Sequence, residues 1–296
     1  MPCYNPLKGY MARSPSENGG RAIVFNPKKG FVDKPMTVPC GQCIGCRLER
    51  SRQWAMRCVH EAQLHDENCF ITLTYNDDHL PKNKSLVKSD FQLFMKRFRK
   101  QFSSIKIRFF HCGEYGTLNQ RPHYHAIIFG FNFPDLVLFS QRDSVRVYTS
   151  EILAKLWGKG FVTVGDVTFE SAAYVARYVL KKVTGAPAAD HYKGRLPEYV
   201  TMSRRPGVAA GWFFKYWSDI WPVDGQGDYV IMRGKKLRPP KFYDEKLKAE
   251  LPDYMAIIKR ARKAMAALHA DESTPERLAV KEAVKNAALT NLPRPL

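Results

Sequence analysis

The sequence predicts an α+β fold, one antiparallel β-sheet backed by helices and followed by a helical C-terminal extension. Three observations predict it. Short runs rich in β-branched and aromatic residues (69–75, 106–112, 123–131 and 161–169) alternate with helical patterns at 47–65, 89–102 and 170–183. The middle two runs are separated by a turn-rich stretch, 113–122, which makes them antiparallel neighbours. The last part of the chain, Glu245–Leu289, is dominated by Ala, Lys, Glu and Leu, with breaks around Pro252 and Ser273-Thr274-Pro275. The order strand, helix, strand, strand, strand, helix fits a sheet with helices packed on it.

Taken in order, residues 1–39 are rich in Gly, Pro, Ser and Asn and predict irregular structure or short strands. In 47–65, Trp54, Val59 and Ala62 recur near helical spacing with basic residues on the other faces. The run 69–75 is a buried strand stopped by Asn76-Asp77-Asp78. In 89–102, Phe91, Phe94, Met95, Phe98 and Phe102 share one helical face. Residues 161–169 give a further short strand or hairpin, and 170–183 has no Gly or Pro to interrupt a helix. Gly185-Ala186-Pro187 marks a boundary, and 190–240 shows no clear period. The chain therefore divides into an N-terminal segment (1–65), a core (66–185), a basic, aromatic-rich extension (186–245) and a basic helical tail (246–296). No internal repeat is visible.

The chain has 47 Lys and Arg against 28 Asp and Glu, a net charge of +19 over 296 residues. Such an excess points to a polyanionic partner, because each phosphate neutralised releases condensed counterions. A membrane surface is also negative, but no apolar run approaches the ~20 residues of a spanning helix, and the first residues lack a signal-type apolar stretch. The expectation is a soluble protein kept inside a cell. No GxxxxGK[ST] loop is present, which argues against a built-in ATP-driven motor.

Three clusters carry chemistry. His123 and His125 flank Tyr124 at the start of a strand, so alternation puts both imidazoles on one face, close enough to share an ion. Glu114, across the expected hairpin, can add an oxygen ligand; the plainer alternative is two histidines on a solvated strand end. Tyr174 and Tyr178 lie four residues apart on one helix face, with Lys181 and Lys182 a turn later. A tyrosine hydroxyl is a weak nucleophile until its anion is stabilised, which an ammonium and a metal-polarised phosphate can do. Alone, such a pair on a helix is more often core than catalytic. Cys40, Cys43 and Cys46 form CxxCxxC, with Cys3 a possible fourth ligand for a structural Zn²⁺. An iron–sulfur cluster and plain reduced thiols are the alternatives, and Cys58, Cys69 and Cys112 suit small apolar core positions.

The segments 71–77 (ITLTYND), 121–130 (RPHYHAIIFG) and 174–182 (YVARYVLKK), in this order, resemble the three motifs of HUH rolling-circle replication initiators. PCGQCIGCR (39–47), CGEYG (112–116), the WGKG region and SRRPG (203–207) extend the resemblance over most of 1–245, to the initiators of gokushovirus-like microviruses, small single-stranded DNA phages. The resemblance implies an RRM-like HUH nuclease core. It implies that His123 and His125, with Glu114 in the third position, hold Mg²⁺ or Mn²⁺. It further implies that Tyr174 and Tyr178 cut and rejoin DNA through a 5′-phosphotyrosine, with Lys181 or Lys182 offsetting phosphate charge. The implied partners are single-stranded DNA at a replication origin and a host helicase with host replication proteins, in the bacterial cytoplasm; no membrane is implied.

The candidate DNA contacts are Arg97, Arg99, Lys100, Arg121, Arg177, Arg204 and Arg205, with further basic groups at Arg47, Arg50 and Arg52 and at Lys235-Lys236. The aromatics Trp212, Phe213, Phe214, Tyr216, Trp217 and Trp221 suit either base stacking or a small core. Two other functions compete: a non-enzymatic nucleic-acid-binding protein with structural metal sites, and a metal-dependent nuclease that uses water. Neither needs the tyrosine pair.

Overall fold

The computed structural model describes residues 3–16, 20–116, 119–143, 145–178, 183, 187–222 and 227–290, with the backbone alone at 177 and 178. The chain divides into two units, Met1–Arg50 with Ile257–Leu296, and Ser51–Ala256.

The first unit opens with three short strands, β1 (Leu7–Ala12), β2 (Ile23–Val24) and β3 (Gly30–Val38), paired antiparallel in the order β2-β1-β3. Helix α1 (Ile44–Ala62) begins in this unit, and its residues from Ser51 belong to the second.

In the second unit, β4 (Asn68–Thr74) and α2 (Lys88–Gln101) precede the hairpin of β5 (Arg108–Tyr115) and β6 (Pro122–Phe129). Then come β7 (Val137–Arg142), β8 (Val145–Thr149), α3 (Glu151–Trp157), β9 (Val162–Gly165), α4 (Phe169–Tyr178) and α5 (Pro187–Tyr192). Strand β10 (Tyr199–Met202), α6 (Ala210–Ile220), the hairpin β11 (Val230–Met232) and β12 (Lys235–Leu237), and α7 (Lys241–Glu250) complete it. Seven strands form one antiparallel sheet in the order β10-β5-β6-β4-β9-β8-β7. The expected α+β class, with an antiparallel sheet backed by helices, is the observed one. The C-terminal helices are observed as well: α7 ends just before the break at Pro252, and α8 (Pro252–Leu268) and α9 (Pro275–Thr290) start at Pro252 and Pro275. Among the described residues, no helix is long and apolar enough to cross a membrane.

Alternation decides which helices cover which face. On β4, Cys69, Ile71 and Leu73 point to one side, where α2 contributes Phe91, Phe94, Met95 and Phe98 and α3 contributes Leu153, Leu156 and Trp157. The opposite face carries Phe110, Cys112, Ile127 and Phe129 against Ala55 and Cys58 of α1 and Ala172 and Val175 of α4. Cys58, Cys69 and Cys112 are buried core residues, as their isolation from the CxxCxxC run suggests.

Two regions escape the sequence patterns. The β7–β8 hairpin extends the sheet, but every β7 residue is exposed, so no apolar alternation marks it. Region 190–240 contributes β10, which adds to the free edge of β5 with Tyr199 opposite Gly113 and Met202 opposite Phe110. Its aromatics are divided. Phe213 and Trp221 are buried, Trp212 stacks on His60 at 3.6 Å between ring centres, and Phe214 is exposed. The buried Glu61 carboxylate accepts hydrogen bonds from Arg108 Nε of β5 and from the Ala209 amide at the start of α6. One side chain thereby ties α1, β5 and α6 together.

Candidate functional site

The β5–β6 register sets Glu114 directly opposite His123, and the β4–β6 register sets Thr72 opposite His125. Because residues two apart share a face, Glu114, His123 and His125 converge at one end of the sheet, on the α4 side. Glu114 Oε1 lies 2.7 Å from His123 Nε2 and 3.0 Å from His125 Nε2. Glu114 is 1% exposed and His125 is 5% exposed, whereas His123 is half-buried and open toward solvent.

The far nitrogens of both imidazoles are anchored. His123 Nδ1 is 3.1 Å from the Arg121 carbonyl oxygen, which can only accept, so Nδ1 carries the hydrogen. His125 Nδ1 meets the Thr72 hydroxyl at 3.0 Å. In the neutral imidazole of His123, the Nε2 lone pair therefore faces a carboxylate oxygen, an arrangement that requires a proton or a cation between the two. Burial by itself raises the Glu114 carboxyl pKa, but the hydrogen bonds and charges of His123 and His125 override it and hold the group well below the usual carboxylate range. These three ligand atoms lie within 4.8 Å of one another, as the donor set of one divalent ion would.

Helix α4 brings a tyrosine to this cluster. Its start is fixed by a reciprocal cap: the Thr168 amide donates to Ser171 Oγ at 2.8 Å, and the Ser171 amide donates to Thr168 Oγ1 at 3.1 Å. Ala172, Val175 and Ala176 are buried, so the helix lies flat over β5 and β6. Tyr174, half-buried beside that contact face, sets its ring edge-on to His125 with centres 5.2 Å apart, and Phe70 borders it at 6.3 Å. Tyr178 falls on the last helical residue, where the backbone alone is described. Lys181 and Lys182 lie outside the described residues, as does the side chain of Arg177.

A cleft of about 390 Å³ opens next to His123, lined by Thr74, Tyr75, Asn76, Asp77, Arg121 and Pro122. Arg121 forms its wall, paired with Asp77 at 2.7 Å and donating to the Tyr75 carbonyl at 3.0 Å. Gly160, at φ +150°, lies against this wall: a Cβ there would be 2.4 Å from the Asn76 amide nitrogen and 2.5 Å from the Thr74 carbonyl oxygen. The nearby Tyr75 and Tyr124 have their hydroxyls engaged. Their hydroxyls bond each other at 2.8 Å, Tyr75 also donates to Asp90, and burial raises both, Tyr124 to about 12.

The other basic residues singled out by sequence are spread over the unit. Arg97 donates to the carbonyls of Leu156 and Trp157, and Arg99 to that of Ile107, so both guanidiniums have structural partners. Lys100, Arg204 and Arg205 are exposed. Thr72 and the Arg121 carbonyl are members of the site that the motifs alone did not identify. Thr72 becomes visible only once β4 is registered against β6, because the two residues are 53 apart in sequence.

In the first unit, Cys3, Cys40, Cys43 and Cys46 gather their sulfurs within 4.8 Å of one another.

Residues 68–183 match the family described as replication-associated protein ORF2/G2P. Over 281 residues the chain is 33% identical to the replication-associated protein VP4 of Bdellovibrio phage phiMH2K, covering 90% of this chain and 84% of that one. It is 32% identical over 286 residues to the replication-associated protein ORF2 of Spiroplasma virus 4, covering 90% and 87%. The replication-associated protein ORF4 of Chlamydia phage 1 is 31% identical over 221 residues, 71% of this chain and 53% of that protein. No solved structure matches the chain.

Proposed function

The chain belongs to the family of phage replication-associated proteins, and from that premise we propose that it is the endonuclease that opens rolling-circle replication. It nicks single-stranded DNA at its origin by tyrosine transesterification and later rejoins the ends. The observation that carries the reading is the convergence of two imidazole nitrogens and a buried carboxylate oxygen beside Tyr174.

Glu114, His123 and His125 are the residues that would hold Mg²⁺ or Mn²⁺. They fit the role because Nδ1–H of His123 is committed to a carbonyl, which turns the Nε2 lone pair toward the ion position. When bound, the ion supplies Lewis-acid polarisation of the scissile phosphate. Thr72 and the Arg121 carbonyl keep the two rings in their ligating orientation. Tyr174 Oη attacks phosphorus: the Oη–P bond forms, the P–O3′ bond breaks, the phenolic proton leaves and the released 3′-oxygen takes one up. The phosphodiester energy is conserved in the 5′-phosphotyrosine, so attack by a 3′-hydroxyl reverses the step. Tyr178, one turn along the same helix, is the second nucleophile of a cut-and-join pair, and Lys181 or Lys182 offsets phosphate charge. The cleft beside His123, walled by Arg121, receives the nucleotide next to the nick. Lys100, Arg204 and Arg205 contribute phosphate contacts further out, within a chain of net charge +19. The protein acts in the host cell with a host helicase, the partner that the resemblance to rolling-circle initiators implies.

The test is a denaturing gel of the protein mixed with 3′-end-labelled origin DNA and Mn²⁺. Label migrates with the protein, disappears with EDTA, and is abolished in the Tyr174→Phe/Tyr178→Phe double variant. Cleavage that persists in that variant without attached label means that water attacks and the tyrosine mechanism is wrong. Tight binding without any cleavage leaves a binding protein.

A further inference from the structure

We propose that Cys3, Cys40, Cys43 and Cys46 bind one structural zinc ion as four thiolates, closing the N-terminal sheet onto the first turn of α1. This site is separate from the histidine–carboxylate cluster and has no part in the nicking chemistry.

The spacing of the sulfurs is the first argument. All four lie within 4.8 Å of one another, and Cys3 Sγ is 3.8 Å from Cys40 Sγ. A tetrahedral zinc with bonds of ~2.3 Å has sulfur–sulfur edges of ~3.8 Å. Disulfide-bonded sulfurs would be ~2.05 Å apart, and all four thiols are free. In a multi-iron cluster, different cysteines hold different irons and spread further apart. A set this tight suits a single soft ion, and four thiolates in tetrahedral array select zinc.

The second argument is the backbone around the sulfurs. The Cys40 amide donates to Cys3 Sγ at 3.3 Å. Those of Gln42 and Cys43 donate to Cys40 Sγ at 3.4 and 3.2 Å. Tyr4 and Cys46 donate to Cys43 Sγ at 3.4 and 3.5 Å. Amide N–H groups aimed at sulfur offset the negative charge of thiolates bound to a metal, the outer layer that orients and tunes ligands. Gly41, at φ +75°, gives the left-handed bend that returns these amides onto Cys40.

Chain path and packing supply the third. Leu7 of β1 pairs with Val38 of β3, so Cys3 and Cys40 lie just beyond the same end of that strand pair. The sheet itself buries little: Phe25, Val32, Ile23, Leu7 and Met11 are all exposed. Apart from Tyr10, Ala12 and Ile258, the buried apolar residues described in this unit are Cys3 and Cys43 themselves. A unit with so small a core needs a cross-link, and one metal joining residues 37 apart supplies it. Each thiol gives up its proton on binding, and nothing is oxidised.

The experiment is elemental analysis of the full-length chain, produced in zinc-containing medium and desalted. We expect about one zinc per chain, the stoichiometry of a single four-thiolate site. It is retained in His123→Ala/His125→Ala and lost in Cys40→Ser/Cys43→Ser. If the cysteine variant does not fold, mercurial titration of the native protein decides: zinc leaves as the first four thiols react, whereas Cys58, Cys69 and Cys112 react only on unfolding. Zinc-free protein, zinc lost with the histidines instead of the cysteines, iron with inorganic sulfide, or release without thiol consumption would each overturn the proposal. Because this readout is zinc content, it fails or succeeds independently of DNA cleavage.

Discussion

Replacing Glu114 by Gln isolates the charge that the proposed metal site would offer to a divalent ion. The amide keeps the size of the carboxyl, and its N–H can donate to the His123 Nε2 lone pair that Glu114 Oε1 now faces at 2.7 Å. The metal-free variant therefore keeps its fold, less stable by the lost attraction between the carboxylate and the two imidazoles. Metal binding does not survive as well. Loss of a partner in the outer layer of a metal site costs ~10–100-fold in affinity, and losing the one anionic ligand should cost at least ~100-fold. At a Mn²⁺ concentration of about 100 times the wild-type dissociation constant, binding stabilises the wild type by about 2.7 kcal/mol and the variant by about 0.4 kcal/mol. For a unit of roughly 200 residues those energies raise Tm by about 5–10 °C and about 1 °C. Thermal melts with and without Mn²⁺ measure both. A wild-type protein whose Tm ignores Mn²⁺, or a variant that keeps the full shift, refutes the assignment of Glu114 as a ligand.

Other expectations concern the scaffold around the site. Burial holds His60 neutral, its pKa lowered to about 3, and it contacts the Tyr243 hydroxyl at 2.6 Å. The unfolded chain protonates near pH 6.5, so the stability His60 contributes above that pH is lost as pH falls toward 3, about 2 kcal/mol of it between pH 7 and 5. Urea unfolding at the two pH values should show that loss in the wild type and not in His60→Gln; equal slopes would disprove it. Glu61→Ala strands the buried Arg108 guanidinium and should destabilise by ~3–5 kcal/mol, much of it recovered in Glu61→Met/Arg108→Leu; a single variant as stable as the wild type contradicts the pairing. Gly160→Ala forces a Cβ into backbone atoms at 2.4 Å and should cost more than ~2 kcal/mol while weakening origin-DNA binding at the cleft beside His123. An unchanged melt and unchanged DNA affinity would show that the wall yields freely.

How much of this was legible in the sequence varies with how local each signal is. The strand at β4, the phenylalanine face of α2, the β5–β6 hairpin and the C-terminal helices follow period and turn residues, and each is seen close to where those signals put it. The HYH pair and Glu114 meet because one hairpin register carries all three. What stayed hidden depends on distant partners. Strand β10 has four residues and gains its identity by pairing with β5, more than eighty positions earlier. The β7 strand buries neither face, so it leaves no alternation to read. Helix α3 has seven residues and depends on its ends, with Ser150 Oγ accepting from the Leu153 amide and Gly158 closing the last turn at φ +63°. Thr72 belongs to the site through one hydroxyl, in a strand whose composition announces only β structure.

The carboxylate of Glu61 also bears on transplantation. The stretch that carries the histidines and tyrosines, 68–183, matches a family by itself, which invites moving it into another protein as a cassette. Cut at those points, the cassette would arrive with Arg108 parted from Glu61 and the Pro206 carbonyl, the β5 edge uncovered, and the apolar flank of Ile127 and Phe129 deprived of Ala55 and Cys58. The compact unit that holds all of these partners runs from Ser51 to Ala256. A chimera built on the motifs alone would inherit the reagents without the vessel.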